Sequence, residues 1–167
     1  MILDYCPSGD LARLIQEMGV LTIEEARFYL AEIVLALETL HQHSVLYRDF
    51  KPENILIDSK GHIKLADFGL SKENVKKNDL ATSFCGSPIY IPPELAANIG
   101  STHASDIYGL GLILYEMLVG EPPYLAQFAE IAKENEQRDD LGPLYQMIIK
   151  GEIEYPEDLE EEAISLL

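Results

Sequence analysis

The sequence predicts a mainly helical α+β fold with small β-hairpins, on three observations. Two segments, 24–43 and 104–119, carry apolar residues at helical spacing, while the β-rich runs between them are too short to build a sheet core. The composition, 47% hydrophobic with mean hydropathy near zero, is that of a globular chain. At 167 residues the chain is one domain or part of one. A chain of that size can bury roughly 70% of its unfolded surface.

From the N-terminus, the opening Met1–Cys6 has neither the basic start nor the apolar stretch of a signal peptide, and none is read. Thr22 and Glu25 have the spacing of a capping box, so a helix is expected from Glu24 to about His43. Its apolar residues, among them Phe28, Ile33, Val34, Leu35 and Leu37, cover most of the circumference, which predicts a helix enclosed on several sides. Val45–Tyr47, Ile55–Asp58 and Ile63–Ala66 read as β-rich, the last two joined by a turn at Asp58–Gly61. Residues 67–93, with Gly69, Gly86, Pro88, Pro92 and Pro93, read as one long loop, and such a loop in a compact domain points to function. Helical spacing returns at 104–119, with Leu110, Ile113, Leu114, Met117 and Leu118 on one face and Gly120 and Pro122–Pro123 as the stop. Further on, a polar helix is expected near 126–138, a break at Gly142–Pro143, a helix over 144–150 and the start of another from Asp158.

Twelve Lys and Arg against 29 Asp and Glu leave a net charge of -17. This excludes general nucleic-acid binding and docking on an anionic membrane, and favours basic partners. The longest mostly apolar run, Ile107–Tyr115, falls far below the roughly 20 residues that cross a bilayer, so no membrane segment is expected. Cys6 and Cys85 lie far apart in no metal-ligand spacing and suit a reducing compartment, cytoplasmic or nuclear. The acidic stretch Glu152–Glu162 reads as a solvated face.

The chemistry concentrates after the first long helix. Tyr47-Arg48-Asp49-Phe50-Lys51-Pro52-Glu53-Asn54 offers a carboxylate, an ammonium and an amide, and Asp67-Phe68-Gly69 follows. Phosphoryl transfer needs a base to orient a hydroxyl, oxygen ligands for Mg²⁺ and a cation on the transferring phosphate, and these two loops supply all three.

On those residues the chain resembles the eukaryotic protein kinases, whose catalytic loop reads H/Y-R-D-x-K-x-x-N and whose metal-binding loop reads D-F-G. Tyr47 in place of His, Lys51-Pro52-Glu53-Asn54, Asp67–Lys72 and Ser83–Pro88 look most like the AGC group of serine/threonine kinases. The resemblance runs from Met1 almost to Leu167, interrupted by an apparent insertion within 125–143, and implies most of a kinase C-terminal lobe. It divides the chain into a hinge segment 1–10, a catalytic loop 47–54, an activation segment 67–94 and C-lobe helices to 167.

The resemblance further implies ATP and Mg²⁺ as cofactors. Asp49 would accept or orient the substrate hydroxyl proton, Lys51 would hold the γ-phosphate, and Asn54 with Asp67 would ligate Mg²⁺. Ser87, in place of the group's usual Thr, would bridge Asp49 and Lys51. On the nucleotide side it implies backbone at Asp4 and Cys6 facing adenine, Asp10 near the ribose, Leu56 beneath the base, and Glu53. Ser83, with Thr82 as the neighbouring candidate, would be phosphorylated by an upstream activating kinase and pair with Arg48. The partners implied are protein substrates, and Glu53 and Glu116 match positions that can face substrate arginines. Ile89 stands where the group commonly has Glu, which weakens that preference for basic substrates. Glu94 stands in Pro92-Pro93-Glu94 for Ala-Pro-Glu, and its usual arginine partner would lie beyond Leu167, leaving a buried carboxylate unpaired.

A kinase also needs a Gly-rich loop, a strand lysine and a helix glutamate, and none precedes Leu3, so the chain reads as a C-lobe cut at both ends and residues 1–167 alone are expected to be inactive. Two functional readings stay open: a serine/threonine kinase when the chain is complete, and a non-catalytic kinase-like binding or regulatory fragment. An unrelated Mg²⁺-dependent phosphohydrolase would need clustered acids such as D-x-D, which do not appear at a strand end.

Overall fold

The structure is a computed structural model and describes residues 4–75, 80–81, 86–134, 140–157 and 159–167. The described residues form seven α-helices and one two-stranded antiparallel sheet, as expected of a mainly helical α+β chain. Helix α1, Leu11–Met18, begins where the Asp10 carboxylate accepts from the Arg13 N–H at 2.8 Å and ends at Gly19, whose φ is 82°. It buries Leu11 and Ile15, four residues apart on one face. Periodicity over eight residues is too brief to single out in the sequence, and this helix was not expected.

Helix α2, Ile23–Gln42, starts at the Thr22–Glu25 capping box. Its burial corrects the expectation of a helix enclosed on several sides: Ala26, Ile33 and Leu37 are buried, whereas Phe28, Val34 and Leu35 are exposed. One stripe packs against α4, His103–Val119, while Phe28, Val34 and Leu35 lie outside it.

Strands β1, Ile55–Ile57, and β2, Ile63–Leu65, pair in the register Ile55↔Leu65, Leu56↔Lys64, Ile57↔Ile63. The Asp58 carboxylate closes their turn by accepting from the Lys60 and His62 N–H groups, and Gly61 takes a φ of 86°. Val45–Tyr47 does not form a strand; only Leu46 pairs, with Lys72, in an isolated bridge. Among the described residues of 67–93 there are single 3₁₀ turns at Phe68–Leu70 and Pro88–Tyr90, and the chain then enters the short helix α3, Pro93–Ala96.

Helix α4 is capped by Thr102 and stopped by Gly120 in the left-handed region. It is buried on more than the one face expected, since Leu112, Tyr115 and Glu116 are enclosed along with Ile113, Leu114 and Met117. The tail holds α5, Leu125–Glu134, α6, Gly142–Lys150, and α7, Glu161–Leu166. Gly142–Pro143 starts α6 rather than breaking the chain, because a proline in the first turn costs no hydrogen bond there. The last helix begins at Glu161, three residues later than expected.

Two cores result. The larger joins α1, α2, α4 and the segment Tyr47–Ile55; the smaller gathers Ile91, Leu95, Tyr124, Leu144 and Ile148. Helix α4 meets the segment after α2 closely: a Cβ built on Gly109 would lie 2.7 Å from the Phe50 Cβ, whereas one on Gly111 would meet nothing within 4 Å. Gly109→Ala is therefore expected to lower stability by about 1–3 kcal/mol through overpacking. Gly111→Ala should instead raise stability by up to about 1 kcal/mol through helix propensity. Urea midpoints of the two variants, measured side by side, check the contrast.

Candidate active site

The loop between α2 and β1 is held from beneath. Asp106, in the first turn of α4 and 1% exposed, accepts from the Tyr47 N–H at 3.0 Å and the Arg48 N–H at 2.9 Å. Arg48 between them has a φ of 68°, a conformation that costs a non-glycine residue about 1–3 kcal/mol and persists only when its surroundings impose it. Its Nε donates to the Leu70 carbonyl at 2.7 Å, tying this loop to the turn that follows Asp67. The Tyr47 hydroxyl donates to the Ala66 carbonyl, with the ring edge-on to Phe50 and Phe68. Burial first, and then the nearby Asp49 and Asp67 charges, push that hydroxyl well above its usual pKa, so it stays a donor.

Asp49 is 5% exposed. Its Oδ2 lies 3.1 Å from the Lys51 ammonium and accepts from the Asn54 amide at 2.8 Å, and the same amide donates to the Asp49 carbonyl at 2.9 Å. Lys51 also reaches the Ser87 hydroxyl at 3.4 Å. The expected bridge is corrected in one respect: Ser87 contacts Lys51 and not Asp49, and it is the ammonium that joins the two. The backbone of Asn54 accepts from the Ala66 N–H at 2.9 Å, which brings the next residue, Asp67, to the same side of the hairpin. Asp67 is exposed, left-handed with a φ of 51°, and accepts from the Gly69 N–H. The sequence-predicted set Asp49, Lys51, Asn54, Asp67 and Ser87 is thus carried by three short loops tied to one another.

An exposed carboxylate and an amide oxygen form a partial set of hard ligands. No group of three His, Cys, Asp or Glu side chains able to hold a metal occurs among the described residues. That donor set fits Mg²⁺, which keeps waters and takes one or two protein carboxylates plus substrate phosphates.

The family model of the protein kinase domain matches residues 1–167. The chain belongs to the protein kinase family. It is 39% identical to the serine/threonine-protein kinase gad8 of Schizosaccharomyces pombe over 167 residues, all of this chain and 27% of that protein. It is 41% identical to the serine/threonine-protein kinase YPK1 of Saccharomyces cerevisiae over 166 residues, 99% of this chain and 23% of that protein. Identity to human ribosomal protein S6 kinase alpha-3 is 41% over 167 residues, all of this chain and 21% of that protein. The chain therefore spans about a quarter of the length of these relatives.

In this kinase chain Asp4, Asp10 and Leu56, expected around the nucleotide, lie along the hairpin, whereas Glu53 sits in the 3₁₀ turn Pro52–Asn54 near Glu116. Asp10 and Leu56 face each other in a backbone bridge, and the Ile57 N–H donates to the Gly9 carbonyl at 2.9 Å. One Asp10 oxygen is committed to capping α1. The Asp4 carboxylate is exposed and lies 2.6 Å from the Lys64 ammonium, whose hydrogen bond and charge hold it below the usual carboxylate range. Cys6 is a half-buried free thiol. Ser83 and Thr82 lie outside the described residues, so their pairing with Arg48 does too.

Glu94 corrects the expectation of an unpaired carboxylate, because it is half-buried and accepts from the Ser105 hydroxyl. Glu116 is buried at 8% exposure and accepts from the Tyr90 hydroxyl at 2.8 Å. Burial pushes its carboxyl up to about 7, with the charge of Glu53 adding to the rise and the Tyr90 hydroxyl opposing it. Two residues of this site escaped the sequence reading. Asp106 looks like an ordinary acid in a helix first turn, and Tyr90 like one more apolar residue of a long loop; only the fold shows what they hold.

A buried Glu whose pKa rises from 4.5 to about 7 on folding binds its proton more tightly in the folded state. Its stabilising contribution is complete below the unfolded value and is lost as pH rises through the folded one. Relative to Glu116→Gln, the wild-type chain is expected to lose on the order of 3 kcal/mol between pH 4.5 and 8. Denaturant midpoints of both chains across that range check the sign.

Proposed function

We propose that the full-length protein transfers the γ-phosphoryl group of ATP to serine or threonine hydroxyls of protein substrates. The observation that carries this reading is the buried Asp49 carboxylate, oriented by Asn54 and neighboured by the Lys51 ammonium, with Asp67 next to the residue that Asn54 binds. In the reaction, Asp49 orients the substrate hydroxyl and receives its proton as the hydroxyl oxygen bonds to the γ-phosphorus and the bond to ADP breaks. Lys51 sits where an ammonium can stabilise charge on the transferred group. Asn54 and Asp67 would hold Mg²⁺, which when bound neutralises charge on the phosphates. Serine and threonine as acceptors are supported by relatives that are serine/threonine kinases; regulation by an upstream kinase acting on Ser83 or Thr82 is proposed from the charge that a phosphate would set against Arg48.

Basic residues around the acceptor are supported by Glu53 and Glu116, which lie close enough for one charge to raise the pKa of the other. Glu116 offers a full charge only above about pH 7. Residues 1–167 contain no G-x-G-x-x-G sequence to cover phosphates, and this segment by itself is proposed to be inactive.

In the full-length protein, Asp49→Asn and Asp67→Asn are each expected to lower kcat by about 10²-fold or more. Transfer of labelled phosphate to a serine peptide, with folding confirmed by circular dichroism, reads the effect; wild-type rates in either variant would remove that residue from the reaction. Ser83→Ala is expected to lower activity in the wild-type background and to change nothing further beside Arg48→Ala, because a charge pair is lost only once. Additive losses in the double variant would separate the two residues.

A further inference from the structure

Helix α5, Leu125–Glu134, lies within the stretch 125–143 that interrupts the resemblance to the AGC group, so a surface it builds is not one that the resemblance implies. Its Phe128 packs on the smaller core, in which Leu144 and Ile148 of α6 are buried. Gln127, Glu130 and Ile131, three and four residues apart, share a neighbouring face and form one wall of a cleft. The other wall is Met147 and Lys150 of α6 with the segment Glu152–Glu154. Ile131, Met147 and Ile153 are half-buried and give the cleft an apolar lining, while the carboxylates of Glu130, Glu152 and Glu154 stand exposed around it against the single ammonium of Lys150. The segment 152–156 has no regular secondary structure, and among the described residues no N–H from Glu152 to Tyr155 makes a backbone hydrogen bond. The Glu154 carbonyl accepts from the Tyr115 hydroxyl at 2.9 Å, which holds the segment against α4. Backbone groups kept in place and left to water are available to the main chain of a partner.

We propose that this cleft docks an extended basic segment of a partner protein, with apolar side chains at alternate positions against Ile131, Met147 and Ile153 and lysine or arginine between them paired with Glu130, Glu152 and Glu154. An extended chain turns successive side chains to opposite sides, so one set enters the cleft and the long basic stems reach its acidic rim. The acidic rim disfavours an anionic ligand, and the net charge of -17 steers a basic one toward the protein. The acids that open the stretch Glu152–Glu162 are thereby given a partner. No residue of the cleft belongs to the candidate active site, so the proposal stands whether or not the protein transfers phosphate.

The test measures fluorescence anisotropy of a short labelled peptide of alternating leucine and arginine with the full-length protein, at about 0.15 M salt. A peptide with serine for each leucine, and one of the original composition with its leucines at helical spacing, are each expected to bind about tenfold more weakly. Ile131→Ser, and the pair Glu130→Lys with Glu154→Lys, are each expected to weaken the alternating peptide by about tenfold. Glu24→Lys with Glu38→Lys changes the net charge equally on α2, which lines no part of the cleft, and is expected to leave binding unchanged. Absence of binding to the wild-type protein, equal binding of either comparison peptide, wild-type affinity in the cleft variants, or an equal loss in the α2 pair would each overturn the proposal. Self-association of the unliganded protein that Ile131→Ser abolishes would give the cleft to a second copy and overturn it as well. If Ile131→Ser does not fold, the exposed pair Glu130→Lys with Glu154→Lys carries the same expectation and the same overturning results.

Discussion

Asp106 is buried beneath the loop it organises, and the rest of the site follows from its two backbone bonds. A carboxylate that is 1% exposed must be met by donors, and the Tyr47 and Arg48 amides are two of them. Meeting them goes with a left-handed backbone at Arg48, the residue before Asp49. The Tyr47 ring then packs into the larger core, and its hydroxyl ties the loop to Ala66 one residue before Asp67. Asn54 closes the arrangement by binding Asp49 through its side chain and Ala66 through its backbone. One buried charge on a long helix thus sets the positions of two loops that share no regular secondary structure with it.

The electrostatics of the site differ from those of the chain as a whole. With a net charge of -17 the surface repels polyanions, yet at the site Lys51 lies against Asp49, and the Arg48 Nε is held by a carbonyl. A compact nucleotide carrying its own divalent cation meets less of that repulsion than a nucleic acid does. At Glu116, burial and the charge of Glu53 hold the carboxyl partly protonated near neutral pH. A cation arriving there relieves repulsion already present in the free protein.

The long helices and the site residues were legible because each leaves a local mark. Thr22 with Glu25 fixes the start of α2, Gly120 the end of α4, and the spacing from Asp49 to Asn54 and on to Asp67 follows a chemical requirement for base, cation and metal ligands. What escaped depends on tertiary partners. Helix α1 buries only two residues on one face, so its period is too short to stand out, and α6 begins at a Gly-Pro pair that in isolation reads as a stop. The exposure of Phe28, Val34 and Leu35 was misjudged because periodicity reports which faces are apolar, not which are covered. Asp106 was invisible for a related reason, since an acid in a first turn has the same local signature whether it faces water or a backbone.

The notch at Gly109 has a consequence of its own when set beside Asp106. The two are three residues apart, nearly one helical turn, so they lie on one face of α4. The loop meets that face twice, through the amides of residues 47 and 48 at the carboxylate and through the Phe50 side chain at the glycine. Two contacts with matched spacing work as a vernier. Rotating the helix would pull the carboxylate from the amides, and sliding it would drive a side chain of α4 into Phe50. The register between helix and loop is therefore discrete, and the placement of Asp49 is defined against a rigid rod instead of depending on the lengths of the loops on either side.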